Sequence, residues 1–194
     1  MSVDVLEVHT ATGLLRSFND AGVLDAADVH AARRITALAN EPDEAVALAV
    51  ALVVRALRSG SVCVDLRSVA ADSGVVDVAW PEPESWLAAV RASSLSGKPP
   101  VLRLYQGLLY FDRYWREEQQ VCDDVLALAK ATVSAGDARG DRLFPPGYEE
   151  QRAAASVALS QPVTVLTGGP GTGKTTTVAR LLALVAEQAA LAGT

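Results

Sequence analysis

Cysteine is scarce in this chain of 194 residues, which contains only Cys63 and Cys122. Neither has a second cysteine or a histidine at the close spacing that metal ligands need, which argues against a metal site built on cysteine. We expect both thiols to be small buried hydrophobic groups. Aromatic residues are also few, at 5% of the sequence, so we expect a core that is mostly aliphatic and rich in helix.

The chain also lacks a long apolar run. Its most apolar stretch, residues 45–57, contains Arg55 and is shorter than the roughly 18–20 residues that a membrane-spanning helix needs. The sequence does not start with positive charge followed by an apolar segment, the pattern of a secretory signal. We therefore expect a cytoplasmic protein with no membrane partner.

Basic residues are too few to balance the acids. The net charge is −6, and the only lysines are Lys98, Lys130 and Lys174. This balance argues against a domain whose whole surface grips nucleic acid, although another part of a larger molecule could still contact DNA. Half of the residues are hydrophobic, which allows a sizeable core in one or two domains.

Apolar residues recur at helical spacing in the first part of the chain, within residues 10–58. The pattern predicts three helices, and the third is apolar on most sides, as expected for the central helix of a small bundle. Two short apolar runs, residues 101–105 and 108–111, flank Gln106 and Gly107, which predicts a β-hairpin. A long helical pattern follows over residues 113–135. A short run at residues 62–66 is typical of a strand or an extended link.

Glycine, aspartate and proline concentrate in residues 136–147, which predicts a linker. We therefore expect an α-rich N-terminal domain with a small β-hairpin over residues 1–135, and a second domain over residues 148–194. The second domain opens with a helical pattern, an apolar run at residues 163–166, a glycine-rich loop and another helix. This order predicts a helix, a buried strand, a phosphate-binding loop and a helix of an α/β domain.

The glycine-rich loop, GGPGTGKT, matches the phosphate-binding pattern G-x-x-x-x-G-K-[ST] in full. Glycines let the backbone approach an anion, and the helix that follows points its first N–H groups at the same place. We expect Lys174 to reach the β- and γ-phosphates of ATP, Thr175 to place its hydroxyl on Mg2+, and Thr176 to lie near the α-phosphate. The other residues predicted to bind the nucleotide are Gly168, Gly169, Pro170, Gly171, Thr172 and Gly173.

Hydrolysis of ATP needs more than this loop. A second acid must hold magnesium, another group must orient the attacking water, and an arginine should stabilise the transition state. The residues after Thr175, 176–194, have the pattern of one helix and cannot supply them. We therefore expect the chain to be the first part of a longer protein and to be inactive in hydrolysis on its own.

Gln151 precedes the loop by seventeen residues, at the start of a helical pattern. An amide can accept from the adenine amino group and donate to its ring nitrogen, so Gln151 is a candidate adenine contact. The alternative is a solvated glutamine on a polar helix face. The neighbouring Tyr148 and Arg152 either stack on the base or are surface side chains.

An aromatic cluster lies in and after the predicted hairpin, comprising Tyr105, Tyr110, Phe111, Tyr114 and Trp115. It suits either base stacking or packing within the core or against another subunit. Since no basic groove is evident around it, we favour packing. The acidic residues Glu117, Glu118, Asp123 and Asp124 suit a solvated helix face better than a catalytic pair.

The segments EEQRAAASVAL and VTVLTGGPGTGKTTTVARLLAL resemble the glutamine motif and first motif of superfamily 1 DNA helicases. The run LRLYQGLLYFDRYWREEQQV narrows the resemblance to the RecD family, the alpha subunits of exodeoxyribonuclease V. The resemblance extends over essentially the whole chain. It implies a RecA-like fold for the second domain.

The resemblance also implies a function, that of an ATP-driven motor moving 5′ to 3′ on single-stranded DNA. Such a motor works with RecB-like and RecC-like subunits in a helicase and exonuclease complex that processes double-strand DNA ends for recombination and repair. Lys174 would be essential for hydrolysis, Thr175 would bind magnesium, and Gln151 would contact adenine. The N-terminal domain would dock on the RecC-like subunit, and single-stranded DNA would bind parts of the motor outside this chain.

Two alternatives stay open from the residues alone. The chain could be a docking module that binds nucleotide without turning it over, or a small-molecule kinase with a phosphate-binding loop. The long segment ahead of the loop argues against the kinase, because such enzymes usually carry the loop near their N-terminus.

Overall fold

The computed structural model describes residues 8, 10–75, 77–132 and 142–192. The chain divides into two compact units, Met1–Gln119 and Gln120–Thr194. Residues 136–141 of the predicted linker lie outside the described residues, and the predicted domain limits stay predictions. Among the described residues, no helix combines the length and the apolar character needed to cross a membrane.

Three helices open the first unit, as predicted: α1 Gly13–Asp20, α2 Ala26–Ala39 and α3 Glu44–Arg58. Helix α3 starts where the Asp43 carboxylate accepts a hydrogen bond from Ala45 N at 2.8 Å, which satisfies one of the free N–H groups of its first turn. Every residue from Val46 to Val53 is buried. Helix α3 is therefore the central helix that the apolar pattern predicted.

An ion pair joins the end of α3 to the start of α2. Asp28 is fully buried and accepts from the Arg58 guanidinium at 2.8 and 2.9 Å. Asp28 also accepts from the Asp25 backbone N–H at 2.8 Å in a capping box. The Asp28 carboxylate thus caps the start of α2 and also holds α2 against the end of α3.

Helix α4, Val69–Ser73, and helix α5, Pro83–Ala92, complete the helical layer. Helix α5 begins with proline, and the Glu82 carboxylate accepts from Ser85 N at 2.7 Å, which satisfies a free N–H group of its first turn. Trp86 of this helix is buried and donates from Nε1 to the Ala45 carbonyl at 2.6 Å. The core is mostly aliphatic as expected, with Phe18 and Trp86 as its largest side chains.

A three-stranded antiparallel sheet lies against this layer. Its strands are β1 Cys63–Asp65, β2 Leu102–Tyr105 and β3 Leu108–Phe111, in the order β1-β3-β2. The predicted hairpin is confirmed, and its two turn residues have positive φ values of 51° at Gln106 and 88° at Gly107. These values suit the tight turn that matches the twist of the flanking strands.

The thiols are less buried than expected. Cys63, in β1, is half-buried, and Cys122 is exposed. The expectation of burial is wrong for Cys122 because it lies on helix α6, Asp112–Ala129, whose second half is in contact with water. The acidic residues that the sequence placed on a solvated face are exposed on this helix, namely Glu117, Glu118, Asp123 and Asp124.

Helix α6 begins at a buried carboxylate, that of Asp112. It accepts from Arg103 Nε and from Arg116 Nη2, each at 2.6 Å. Burial on its own raises the pKa of this carboxyl, but the hydrogen bonds and charges of Arg103 and Arg116 outweigh it and hold the pKa below the ordinary value of 3.8.

We expect Asp112→Asn to lower the free energy of unfolding at pH 7 by about 1–3 kcal/mol, because both guanidinium groups lose their anion. A depressed pKa in the folded state stabilises above the ordinary carboxyl pKa, and this contribution is lost as the pH falls through the folded value. The difference in free energy of unfolding between Asp112→Asn and the unmodified chain should therefore shrink below about pH 4. Denaturant unfolding followed by tryptophan fluorescence at pH 7 and pH 3 measures it.

The matched control for this prediction is Asp123→Asn, which removes an exposed carboxylate from the same helix. The control should change stability by less than about 0.5 kcal/mol at either pH. Equal behaviour of the two variants across this pH range would contradict the role given to Asp112.

The second unit contains two more helices, α7 Glu149–Ser160 and α8 Lys174–Ala192, as predicted. They pack around a small core of Phe144, Ala155 and Leu184. The predicted buried strand at residues 163–166 is wrong for the described structure. Val165 is 81% exposed, and the segment pairs with no described residue. A parallel strand is buried by neighbouring strands and by helices on both faces, and the described part of this unit supplies no such strand.

Candidate phosphate-binding site

The glycine-rich loop ends where helix α8 begins. Gly173 has a φ of 78°, a left-handed conformation that glycine adopts without strain, and it directly precedes Lys174 at the start of the helix. The first turn closes with Thr177 N donating to the Gly173 carbonyl at 2.9 Å. The loop therefore lies at the positive end of a long helix, where free N–H groups favour an anion.

The Lys174 ammonium group folds back over the loop. Its Nζ donates to the carbonyl oxygens of Gly168 and Gly169, both at 2.6 Å. Thr172 Oγ1 donates to the same Gly169 carbonyl at 2.9 Å. These contacts hold a positive charge at the bend of the loop, where a phosphate group would find both the ammonium group and the helix N-terminus.

Gln151 and the loop lie together, although seventeen positions separate Gln151 from Gly168 in the sequence. Both line a cleft of about 250 Å3 in this unit. The Gln151 amide nitrogen is 4.0 Å from the point where a Cβ on Gly173 would lie. The cleft is lined by Glu150, Gln151, Ala154, Leu166, Thr167, Gly168, Thr172, Lys174 and Thr177.

Several residues predicted to bind the nucleotide lie outside this lining. Thr175 and Thr176 are exposed on the first turn of α8, next to Lys174. The loop residues outside the lining are Gly169, Pro170, Gly171 and Gly173. The roles assigned to all of these residues stay predictions.

Thr177 is a residue of the cleft that the sequence argument missed. It is buried, with 4% of its surface exposed, and its Oγ1 donates to the Gly173 carbonyl at 3.1 Å. The hydroxyl thus ties the first turn of α8 to the end of the loop. The signal was present in the run of threonines after Lys174, but the loop pattern assigns a role only to the first of them.

Tyr148 and Arg152 are engaged in packing within the unit. The Arg180 guanidinium carbon lies 4.2 Å from the centroid of the Tyr148 ring, a cation–π contact. Arg152 Nη2 donates to the Phe144 carbonyl at 3.0 Å. These contacts favour the alternative of surface side chains over base stacking for both residues.

The start of α7, beside Gln151, carries negative charge. The Gly147 backbone N–H donates to the Glu149 carboxylate at 2.8 Å, and this hydrogen bond lowers the pKa of Glu149. An ionised acid in the first turn suits the positive end of the helix dipole. It helps to fix the helix that presents Gln151 to the cleft.

A resident metal cage is not found in the part of the chain that the structure describes, where no group of three or more histidine, cysteine or acidic side chains could hold an ion. A nucleotide-bound magnesium ion does not need one, since it keeps several waters and takes few protein ligands in addition to phosphate oxygens. The exposed Thr175 hydroxyl, next to Lys174, fits such a single ligand.

Comparison with known proteins divides the chain in a similar way. Residues 20–110 match the family model described as the RecBCD enzyme subunit RecD, N-terminal domain. Residues 151–193, which contain Gln151 and the loop, match the model described as AAA domain. The two matches thus cover most of the first unit and nearly all of α7, the loop and α8.

Curated relatives extend the likeness over most of the chain. The chain is 67% identical over 184 residues to the RecBCD enzyme subunit RecD of Mycobacterium tuberculosis, covering 94% of the chain and 32% of the relative. It is 68% identical over 180 residues to that of Mycolicibacterium smegmatis, covering 93% and 32%. With the subunit of Haemophilus influenzae, identity is 37% over 90 residues, covering 42% and 14%. The chain spans about a third of the length of the two mycobacterial relatives.

Proposed function

Because the chain belongs to the RecD family, we propose that it is part of an ATP-dependent 5′-to-3′ DNA helicase subunit. This subunit would act in a helicase and exonuclease complex that processes double-strand DNA ends for recombination and repair. The observation that carries the proposal is the cleft that joins Lys174, Gln151 and the glycine-rich loop. A match to an AAA domain over residues 151–193 supports the same proposal.

Within this cleft we assign the phosphates of ATP to the loop and to Lys174. Among the residues that the structure describes, the ammonium group bonds only to neutral carbonyls, so it can exchange them for phosphate oxygens with a net gain of charge pairing. Thr175 would supply a hydroxyl to magnesium, which when bound would neutralise charge on the phosphates. Thr176, on the same turn, would lie near the α-phosphate.

Hydrolysis would need groups beyond those in this cleft. The described residues of the cleft include one acid, Glu150, and no arginine. A water-orienting group and an arginine for the transition state would come from other parts of the full protein. We therefore propose that this chain binds ATP and that turnover requires the complete subunit.

We propose RecB-like and RecC-like subunits as partners, with residues 1–135 docking on the RecC-like one. The exposed apolar side chains of α6 support a docking role. Val121, Val125 and Leu128 are 62%, 44% and 58% exposed and are spaced along one face of the helix. This surface also keeps a second candidate function open, that of a docking module that binds nucleotide without turnover.

Titration calorimetry with Mg-ATP and Mg-GTP tests nucleotide binding and the role of Gln151. We expect the chain to bind Mg-ATP with saturable heat and to prefer it over Mg-GTP. Because the amide can form two hydrogen bonds with adenine, Gln151→Ala should weaken Mg-ATP binding about tenfold and remove the preference.

Gln161→Ala is the matched control, since Gln161 is exposed at the end of the same helix. It should bind Mg-ATP like the unmodified chain. Absence of heat with the unmodified chain would overturn nucleotide binding altogether. A preference for ATP that survives Gln151→Ala would overturn only the adenine contact.

A further inference from the structure

A second cleft, of about 340 Å3, lies in the N-terminal unit and is bordered by cations from three separate segments. Arg91 comes from the last turn of α5, Lys98 from the loop that follows, and Arg103 from strand β2. Ser96 and Gly97 complete the polar part of its lining. This concentration of positive charge is unusual in a chain whose net charge is −6.

Most of this positive charge is not neutralised by neighbours. The Arg91 and Lys98 side chains are exposed and form no hydrogen bond or ion pair with any other described residue. Arg103 pairs with Asp112, but the same carboxylate also pairs with Arg116. Two guanidinium groups thus share one carboxylate, which leaves one positive charge in excess among Arg103, Arg116 and Asp112. The cleft therefore attracts an anion from outside the unit.

Aromatic rings continue the surface beyond Arg103. Its guanidinium carbon lies 4.3 Å from the centroid of the Trp115 ring, and the Tyr105 ring lies 5.8 Å from the same centroid. Tyr105 is 42% exposed at the end of β2, which is an edge strand of the described sheet. An exposed aromatic ring thus lies two residues from Arg103, on the edge strand that borders the cleft.

We propose that this cleft binds single-stranded nucleic acid, with backbone phosphates at Arg91 and Lys98 and a base stacked on Tyr105. Phosphodiester groups suit the ammonium and guanidinium groups, and stacking on aromatic side chains is the usual way in which unpaired bases are held. An acidic polypeptide would satisfy the cations but would make no use of the exposed ring. The site thus adds a contact to single-stranded DNA outside the phosphate-binding cleft and independent of ATP.

Fluorescence anisotropy of a labelled oligo-dT strand, measured without nucleotide, tests the site. We expect the double variant Arg91→Ala/Lys98→Ala to weaken binding at least tenfold. The slope of log K against log salt should become shallower by about 1–1.5, as expected for two lost phosphate contacts at roughly 0.7 each. Tyr105→Ala should weaken binding about tenfold with an unchanged slope, because stacking releases no counterions.

The matched control is Arg34→Ala/Lys130→Ala, which removes the same two charges from exposed positions outside this cleft. Unchanged unfolding midpoints by tryptophan fluorescence would show that the variants fold. A control that weakens binding as much as the cleft variant would overturn the proposal in favour of general charge attraction. A second result would also overturn the proposal. If a polyglutamate peptide displaces the oligonucleotide at equal charge concentration and Tyr105→Ala has no effect, the cleft would be assigned to an acidic protein segment.

Discussion

Replacing Lys174 with alanine is expected to reduce ATP hydrolysis stimulated by single-stranded DNA by about 100-fold or more in the complete subunit with its partners. The Lys174 ammonium group is held at the bend of the loop by two carbonyls at 2.6 Å. No other lysine or arginine lines this cleft among the described residues, so nothing nearby can replace the charge. A steady-state ATPase assay with and without single-stranded DNA measures the loss.

The control for Lys174→Ala is Lys130→Ala, which removes an exposed lysine outside the cleft. Its ATPase rate should match that of the unmodified complex. Lys174→Arg is informative as well, because arginine keeps the charge but not the compact ammonium group, and it should also be strongly impaired. Full activity of Lys174→Ala would defeat the assignment of this loop to the motor.

Replacing Leu48 with alanine is expected to destabilise the N-terminal unit by about 2–5 kcal/mol. Leu48 is fully buried in the first half of α3, and this helix contacts α1, α2, α5, β1 and β3. Removing its side chain leaves a cavity in this core, and a well-packed core relaxes only in part. A loss of this size is a large fraction of the stability of a typical domain.

Tryptophan fluorescence reports this loss cleanly, since Trp80, Trp86 and Trp115 all lie in the N-terminal unit. The matched control is Leu38→Ala on α2, where the leucine is 68% exposed. The same chemical change there should alter the free energy of unfolding by less than about 0.5 kcal/mol. Similar unfolding midpoints for the two variants would contradict the central position given to α3.

Local patterns predicted the elements of the fold well. The three opening helices, the hairpin at Gln106 and Gly107, and helices α7 and α8 were expected from spacing, turn residues and helix start signals. These features depend on residues only a few positions apart, so they can be predicted without knowledge of the tertiary packing. Helix α6 was also expected, and it extends to Ala129.

Predictions that depend on contacts between residues far apart in the sequence were less accurate. The run at residues 163–166 has the composition of a buried strand, but Val165 is 81% exposed because burial depends on neighbours that the run does not specify. Tyr105 was grouped with residues expected to pack, yet it is 42% exposed, whereas Tyr110 of the same cluster is 5% exposed. The register places both rings on the same face of the sheet, but Tyr110 lies on the central strand, whereas Tyr105 lies at the end of an edge strand.

The order of residues alone was enough to predict a phosphate-binding loop, because the pattern occupies eight consecutive positions and a following helix. Long-range packing decided which other groups share its cleft, bringing in Gln151 and the unforeseen Thr177. It also gathered Arg91, Lys98 and Arg103 around one cleft, a basic surface that is not evident along the sequence. Contacts within a turn are set by local backbone geometry, whereas contacts between elements exist only after the hydrophobic core has fixed their positions.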